Sequence, residues 1–241
     1  MNDRDSFKLR TWQGRIARAL LAAGLGLMPV AHGAAAQDSL PPLEEQTIDE
    51  SGSLKALRQV QTYMDEVTSL EASFMQRAPN GNVANGKLYL ERPGFIRFDY
   101  TDTTPFLIVG DGKTLNFVDY EIGQVSKWPI KKTPLRALLG GSVDLASLAA
   151  SIEVEPAGVP GMLALSARDV ENPEQGEITL YFKQEPAAPS GLQLISWSVV
   201  DAKGELTYVE LSDQQVNTQL AASLWQFEDP RGLAKRRRTR R

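Results

Sequence analysis

From Lys87 onward the chain cannot be helical for long, because its side chains alternate with a period of two. The stretch KLYLERPGFIRFDY is followed by TPFLIVGDGKTLNFVDY and then TPLRALLGG. Apolar and polar residues exchange places at every step, which is the pattern of strands with one buried face. Turn dipeptides punctuate the runs: Asn80-Gly81, Asn85-Gly86 and Gly110-Asp111-Gly112. Strands are predicted over Leu70–Gln76, Gly86–Arg92, Phe95–Thr101, Phe106–Val109, Thr114–Asp119 and Gln124–Ile130. In the second half they fall over Ile152–Glu155, Met162–Ala167, Glu177–Lys183, Leu192–Asp201, Glu205–Ser212 and Leu224–Glu228. About eleven strands with short connections make an antiparallel meander, and hence a strongly curved sheet or barrel.

Helical signals are few. Ser53 to Ser69 places Leu54, Leu57, Val60, Met64 and Val67 on one face, with Ser51 or Ser53 as cap. Thr133-Pro134 opens a short apolar helix over Leu135–Leu139, which Gly140-Gly141 ends, and Ser142 to Ala150 reads as another short helix. An α+β domain, mainly β, is expected, with its helices packed on the sheet.

Before the strands, Arg4, Lys8, Arg10, Arg15 and Arg18 precede the apolar run Ala19–Val30, and Ala34-Ala35-Ala36 follows. This is the three-part pattern of a secretory signal peptide over residues 1–36. Residues 37–52 read as a flexible start, 53–233 as the folded domain and 234–241 as a basic disordered tail. Export places the protein in the periplasm.

What the chain lacks narrows its chemistry. It has no Cys, and its one His, His32, lies in the signal segment. That removes His- or Cys-ligated zinc and every Cys-His or Ser-His-Asp triad. A carboxylate pair would remain for a glycosidase, but no sharp pair stands out. No catalytic residue, metal or cofactor is expected. Residues 1–36 hold five basic and two acidic side chains, so the remainder carries −7. The run Lys235–Arg241 (KRRRTRR) holds six of the basic residues, and without it the body is −13. So acidic a body argues against nucleic acid. The tail suits an anionic membrane surface or an acidic partner, or is a solvated end.

On the strand Phe95–Tyr100, Ile96, Phe98 and Tyr100 share one face, and Phe95, Arg97 and Asp99 the other; Leu115 and Phe117 share a face of a later strand. Those five apolar residues line a cavity or fill a solid core, and periodicity alone favours the core.

The order of motifs resembles the periplasmic outer-membrane lipoprotein carrier family, LolA. The features are an N-terminal helix, LEASFMQ, then GKLYLERP with an aromatic-rich strand after it, VGDGKTL, Thr-Pro-Leu before a short apolar helix, and FEDPRGL near the end. The resemblance implies an incomplete antiparallel β-barrel with a helical lid over an apolar cavity. It implies a monomeric chaperone, not an enzyme. Such a carrier takes triacylated lipoproteins from an inner-membrane ABC transporter to an outer-membrane acceptor. It makes Arg92 the arginine that latches the lid, with Arg97 the alternative. Ile96 and Phe98 then fall at aromatic cavity positions, joined by Tyr100, Leu115 and Phe117, and Leu135, Leu138 and Leu139 belong to the lid. Asn116 departs from a tryptophan expected in some relatives, which thins the lining. Two other readings stay open: a periplasmic lipid- or lipoprotein-sensing regulator on the same shell, and an Arg92 that merely pairs with Glu91 or Asp99 at the surface.

Overall fold

A computed structural model describes residues 50–101, 105–140 and 148–231. The signal segment, the tail and most of the helix expected over Ser142–Ala150 lie outside the described residues. Helix α1 (Glu50–Glu66) is followed by β1 (Ser69–Arg77), β2 (Val83–Glu91), β3 (Phe95–Tyr100), β4 (Phe106–Asp111), β5 (Thr114–Asp119) and β6 (Gln124–Pro129). After the short helix α2 (Arg136–Leu139) come β7 (Ala149–Val154), β8 (Met162–Arg168), β9 (Glu177–Gln184), β10 (Leu192–Val200) and β11 (Leu206–Val216). Ala149 and Ala150 thus open a strand, where a helix was expected. The predicted final strand, Leu224–Glu228, is instead a 3₁₀ turn (Ala222–Trp225) running into irregular chain.

All eleven strands join one antiparallel sheet in the order β6-β5-β4-β3-β2-β1-β11-β10-β9-β8-β7. The sheet is open: β6 and β7 are its two edges. Bulges on β11 between Ser212 and Gln215, opposite Glu71–Ser73, and on β10 between Leu194 and Ser196 add local bend and twist. The topology has one consequence for function. The chain meanders outward from β1 to β6, then must pass from one edge of the sheet to the other before β7 begins. That passage carries α2.

Register lines up apolar rows on one face. Leu70, Leu90, Ile96, Gly110 and Leu115 are successive cross-strand neighbours, as are Ala72, Leu88, Phe98, Ile108 and Phe117. In the other half, Val209, Trp197, Leu180, Leu165 and Ile152 continue the pattern. Helix α1 lies on this face against β7, β10 and the turn Pro189–Gly191. Its buried side is Ala56, Val60, Tyr63, Met64 and Val67, whereas Leu54 is 49% exposed. Val60, Met64 and Val67 of the predicted stripe are buried and Leu57 packs beside them, while Tyr63, whose ring meets Phe182 edge-on at 5.1 Å, takes the central place that Leu54 does not. Asn217 ends the helix by donating from Nδ2 to the Glu66 carbonyl (2.9 Å) while its Oδ1 accepts the Thr68 N–H (2.9 Å). That satisfies one of the terminal carbonyls a helix leaves open.

At Gly86, between Phe74 and Tyr100 in the ladder, a Cβ would stand 2.1 Å from the Asp99 carbonyl oxygen and 2.7 Å from the Phe74 ring. Only glycine lets the two aromatic rings, 5.3 Å apart, close over the backbone there.

Candidate functional site: a closed apolar shell and its lid

The connection between the edges begins as β6 ends. A 3₁₀ turn (Ile130–Lys132) is closed by Thr133, whose hydroxyl and N–H both donate to the Ile130 carbonyl. Pro134 then starts α2. Ile130, Ala137, Leu138 and Leu139 are all at most 6% exposed, and all belong to the same apolar cluster as Ile96, Phe98, Leu90 and Trp197. Leu135 is partly buried against that cluster. A four-residue helix has no stability of its own. It holds its position because its leucines are inserted among the side chains of the sheet.

The floor beneath is aromatic. Phe74 meets Phe98 edge-on at 5.1 Å, and Phe98 meets Trp197 at 6.2 Å. Tyr100 donates from its hydroxyl to Gln76 Oε1 at 2.8 Å, and burial pushes that phenol well above its usual pKa, so the hydroxyl stays a donor. Of the predicted lining, Ile96, Phe98, Tyr100 and Leu115 come together in this cluster. Phe117 lies on the same face but farther along it, half-exposed and packed on Phe106 at 5.4 Å. Asn116 points to the opposite face, where it is buried and donates to the Val109 and Thr114 carbonyls and to Asp111. The expectation that Asn116 thins the lining is therefore wrong: its neighbours Leu115 and Phe117 are the ones on the inner face. Phe74, Trp197 and Tyr63 were not singled out from sequence. Phe74 was within reach, since it keeps parity with Leu70 and Ala72.

Arg92 sits where β2 ends, and its side chain bridges two elements. Nε donates to the Leu138 carbonyl at 3.0 Å, and Nη1 donates to the Val67 carbonyl just after α1. The guanidinium carbon lies 5.9 Å from the Tyr63 ring centroid, a cation–π distance. Burial lowers the Arg92 pKa, while Tyr63 and Asp65 oppose the shift. Next to it, the Gly94 N–H donates to the Leu139 carbonyl at 3.0 Å. Glu91 and Asp99 are engaged elsewhere, Glu91 accepting from Trp225 and Asp99 from Arg97. The surface-pair reading of Arg92 is not what the geometry presents.

Arg97, the alternative latch, is on the other side of the sheet. It donates to both Asp99 oxygens at 2.8 Å and, through Nη1, to the Leu224 and Gln226 carbonyls at 2.9 and 3.0 Å. It pins the C-terminal segment, whose Trp225 packs on Phe95 at 5.3 Å and whose Phe227 covers a small outer cluster of Leu107, Val109 and Val118.

Helix α2 has a second tie that sequence reading missed. Arg136 on α2 pairs with Asp169 at 3.3 Å, both side chains being largely shielded. Burial pushes the Asp169 carboxyl up, but hydrogen bonds from Asn172 and the charge of Arg136 outweigh it and hold the carboxyl below its usual range. A depressed carboxylate stabilises the fold above its unfolded pKa, and that contribution disappears as pH falls through the lower folded value. The pair is thus complete at neutral pH and loosens only in acid below about pH 4. It is also the tie that salt screens. Arg136→Gln and Asp169→Asn are each expected to make entry of a hydrophobic dye easier at low salt and independent of added salt. The charge-swapped double variant, Arg136→Asp with Asp169→Arg, should restore the salt dependence. Equal salt dependence in all four proteins would show that the pair does not hold the lid.

With the shell, lid and latch geometry in view, comparison with known proteins is decisive. The sequence profile described as "Outer membrane lipoprotein carrier protein LolA" matches residues 65–228. The chain belongs to the LolA family. An outer-membrane lipoprotein carrier protein from Chromobacterium violaceum is 31% identical over 190 residues, covering 74% of this chain and 85% of that one. The carrier of the same name from Nitrosomonas europaea is 27% identical, covering 74% and 87%, and that of Legionella pneumophila strain Corby is 28% identical, covering 72% and 86%. The LolA match spans the whole sheet, from the end of α1 to the segment pinned by Arg97.

Proposed function

We propose that this protein carries acylated lipoproteins across the periplasm by burying their acyl chains between the inner face of the sheet and α2. The observation that carries the reading is an apolar inner face built from ten of the strands and covered by α2, whose Leu138 carbonyl is tied by Arg92 to the Val67 carbonyl after α1. The LolA relatives, named for lipoprotein carriage, support it over a sensing regulator.

The physical need is plain. Each acyl methylene moved from water into an apolar site gains about 0.8 kcal/mol, so three acyl chains cannot cross water unaided. A site that gained all of this would never let go. In the empty protein the lid leucines occupy the inner face, so cargo enters by displacing them. Opening takes the Leu138 carbonyl away from Arg92 and leaves a shielded guanidinium short of acceptors. That cost lowers the net affinity and is recovered when cargo departs and the lid returns. An inner-membrane ABC transporter as donor and an outer-membrane acceptor complete this scheme, with the carrier acting as a monomer and without a cofactor.

Native mass spectrometry of the protein purified from its own periplasm tests the reading. Co-purifying masses of acylated lipoproteins are expected. A protein that is always empty and takes up no hydrophobic dye overturns it.

A further inference from the structure

The hairpin β5–β6 separates its charges along its length. At the turn far from the lid stand Asp119 and Glu121; at the lid end stand Lys113, Lys131 and Lys132. The ladder sets this arrangement: Asp119 pairs with Gln124 at one end, Thr114 with Pro129 at the other, and the Ile130 N–H donates to the Lys113 carbonyl. All three lysines are exposed, and none is in an ion pair among the described residues. Asp111 lies at the same end, but its oxygens accept from the Lys113 and Thr114 N–H groups and from Asn116. Lys127 lies within the field of Asp111 and Asp229. Beside the lysines is Trp128, paired with Leu115 on the lid side of the edge strand and still 47% exposed.

An exposed tryptophan ringed by lysines is unusual on an acidic body. Indole belongs at the boundary between headgroups and acyl chains, and lysines at that depth reach lipid phosphates. We propose that this edge of the sheet, Trp128 with Lys113, Lys131 and Lys132, docks on an anionic phospholipid surface. The proposal rests on the carrier reading and adds where the carrier meets the bilayer. Ile130, between Trp128 and the two lysines, is buried in the inner cluster, and Thr133 directly precedes the lid. Docking here sets the lid against the headgroups at the position where acyl chains would pass. The −13 body keeps the encounter weak and reversible.

Co-sedimentation of the full-length exported protein with vesicles gives the test. Binding is expected to phosphatidylethanolamine–phosphatidylglycerol vesicles at low salt, and not to phosphatidylcholine vesicles. Each lysine near an anionic surface adds about 1 kcal/mol, or roughly fivefold, so Lys131→Gln with Lys132→Gln should weaken binding about 25-fold. Trp128→Ala should weaken it further and remove a blue shift in tryptophan emission on binding. The same variants are repeated with the tail arginines changed to glutamine, so that the run 235–241 cannot substitute for the patch. Unchanged binding of the lysine variant in the tail-altered background overturns the proposal, and so does binding that is lost on altering the tail alone and unmoved by the patch variants, which assigns lipid contact to the tail. Loss of cross-linking to a membrane protein with no vesicle binding at all overturns it in favour of a protein partner. Dye uptake by the lysine variant should equal that of the unaltered protein; if dye uptake fails in both, it is the carrier reading that is wrong.

Discussion

Arg92→Leu is expected to leave cargo uptake intact and to abolish handover to acceptor membranes. The side chain makes two charge-assisted bonds to carbonyls, one on the lid and one after α1. Bonds of this kind contribute about 1.5–3 kcal/mol each. In the proposed carrier cycle the bond to Leu138 is lost when α2 lifts, so it penalises the open, loaded form. Leucine makes neither bond and adds apolar surface to the inner face. Losing one bond alone shifts the balance toward the loaded form by ten- to a hundredfold. The measurement is transfer of a labelled lipoprotein from the purified complex to outer-membrane vesicles, with retained complex quantified beside it. Transfer at the normal rate would remove Arg92 from the latch. Arg92→Lys separates charge from geometry: a lysine keeps the cation but lacks the fork that reaches both carbonyls.

Trp197→Ala is expected to be the most destabilising single change in the shell. The indole is 2% exposed, at the centre of β10, and packs edge-on against Phe98. Its neighbours are strands held by ladders on both sides, so they cannot collapse into the space it leaves. Such truncations cost about 3–5 kcal/mol. For a domain of this size that is a fall in Tm of roughly 6–20 °C. The same vacancy opens onto the face that the lid covers. Hydrophobic dye binding should therefore rise at temperatures where circular dichroism still reports a folded sheet. Trp225→Ala makes a control, because that indole lies on the outer face against Phe95. It should lower Tm less and leave dye binding unchanged. Equal effects from the two tryptophans would mean that the inner face is not a separate, openable compartment.

The strands were legible because a period of two leaves little else to fold into. Register decided how much more could be read. Ile96, Phe98 and Tyr100 share a face by parity alone, and parity also puts Arg97 on the other side, away from the lid. What parity does not give is which face is the inner one at each strand, and Asn116 shows the cost of carrying a position over from relatives without checking its parity. Its own strand places Leu115 inside and Asn116 outside. On helix α1 the apolar stripe was legible from Leu57 onward, but Leu54 has the apolar character of a core residue and stays exposed, while Tyr63 enters the core with its ring against Phe182. Trp225 and Phe227 carry a strand-like pattern, but the segment forms a 3₁₀ turn and irregular chain tied to the outer face by Arg97.

Alternation, turn dipeptides and the absence of His and Cys beyond residue 36 determined by themselves an antiparallel meander with an apolar face and no zinc or triad chemistry. Local patterns carry that information because they act between residues a few positions apart. The lid ties are different in kind. Arg92 meets Leu138 across 46 positions of sequence, and Arg136 meets Asp169 across a passage between the two edges of the sheet. Such contacts depend on the curvature of eleven strands added together, and no window of the sequence contains it. Only the tertiary structure could show that α2 packs on the apolar face and which polar bonds tie it there.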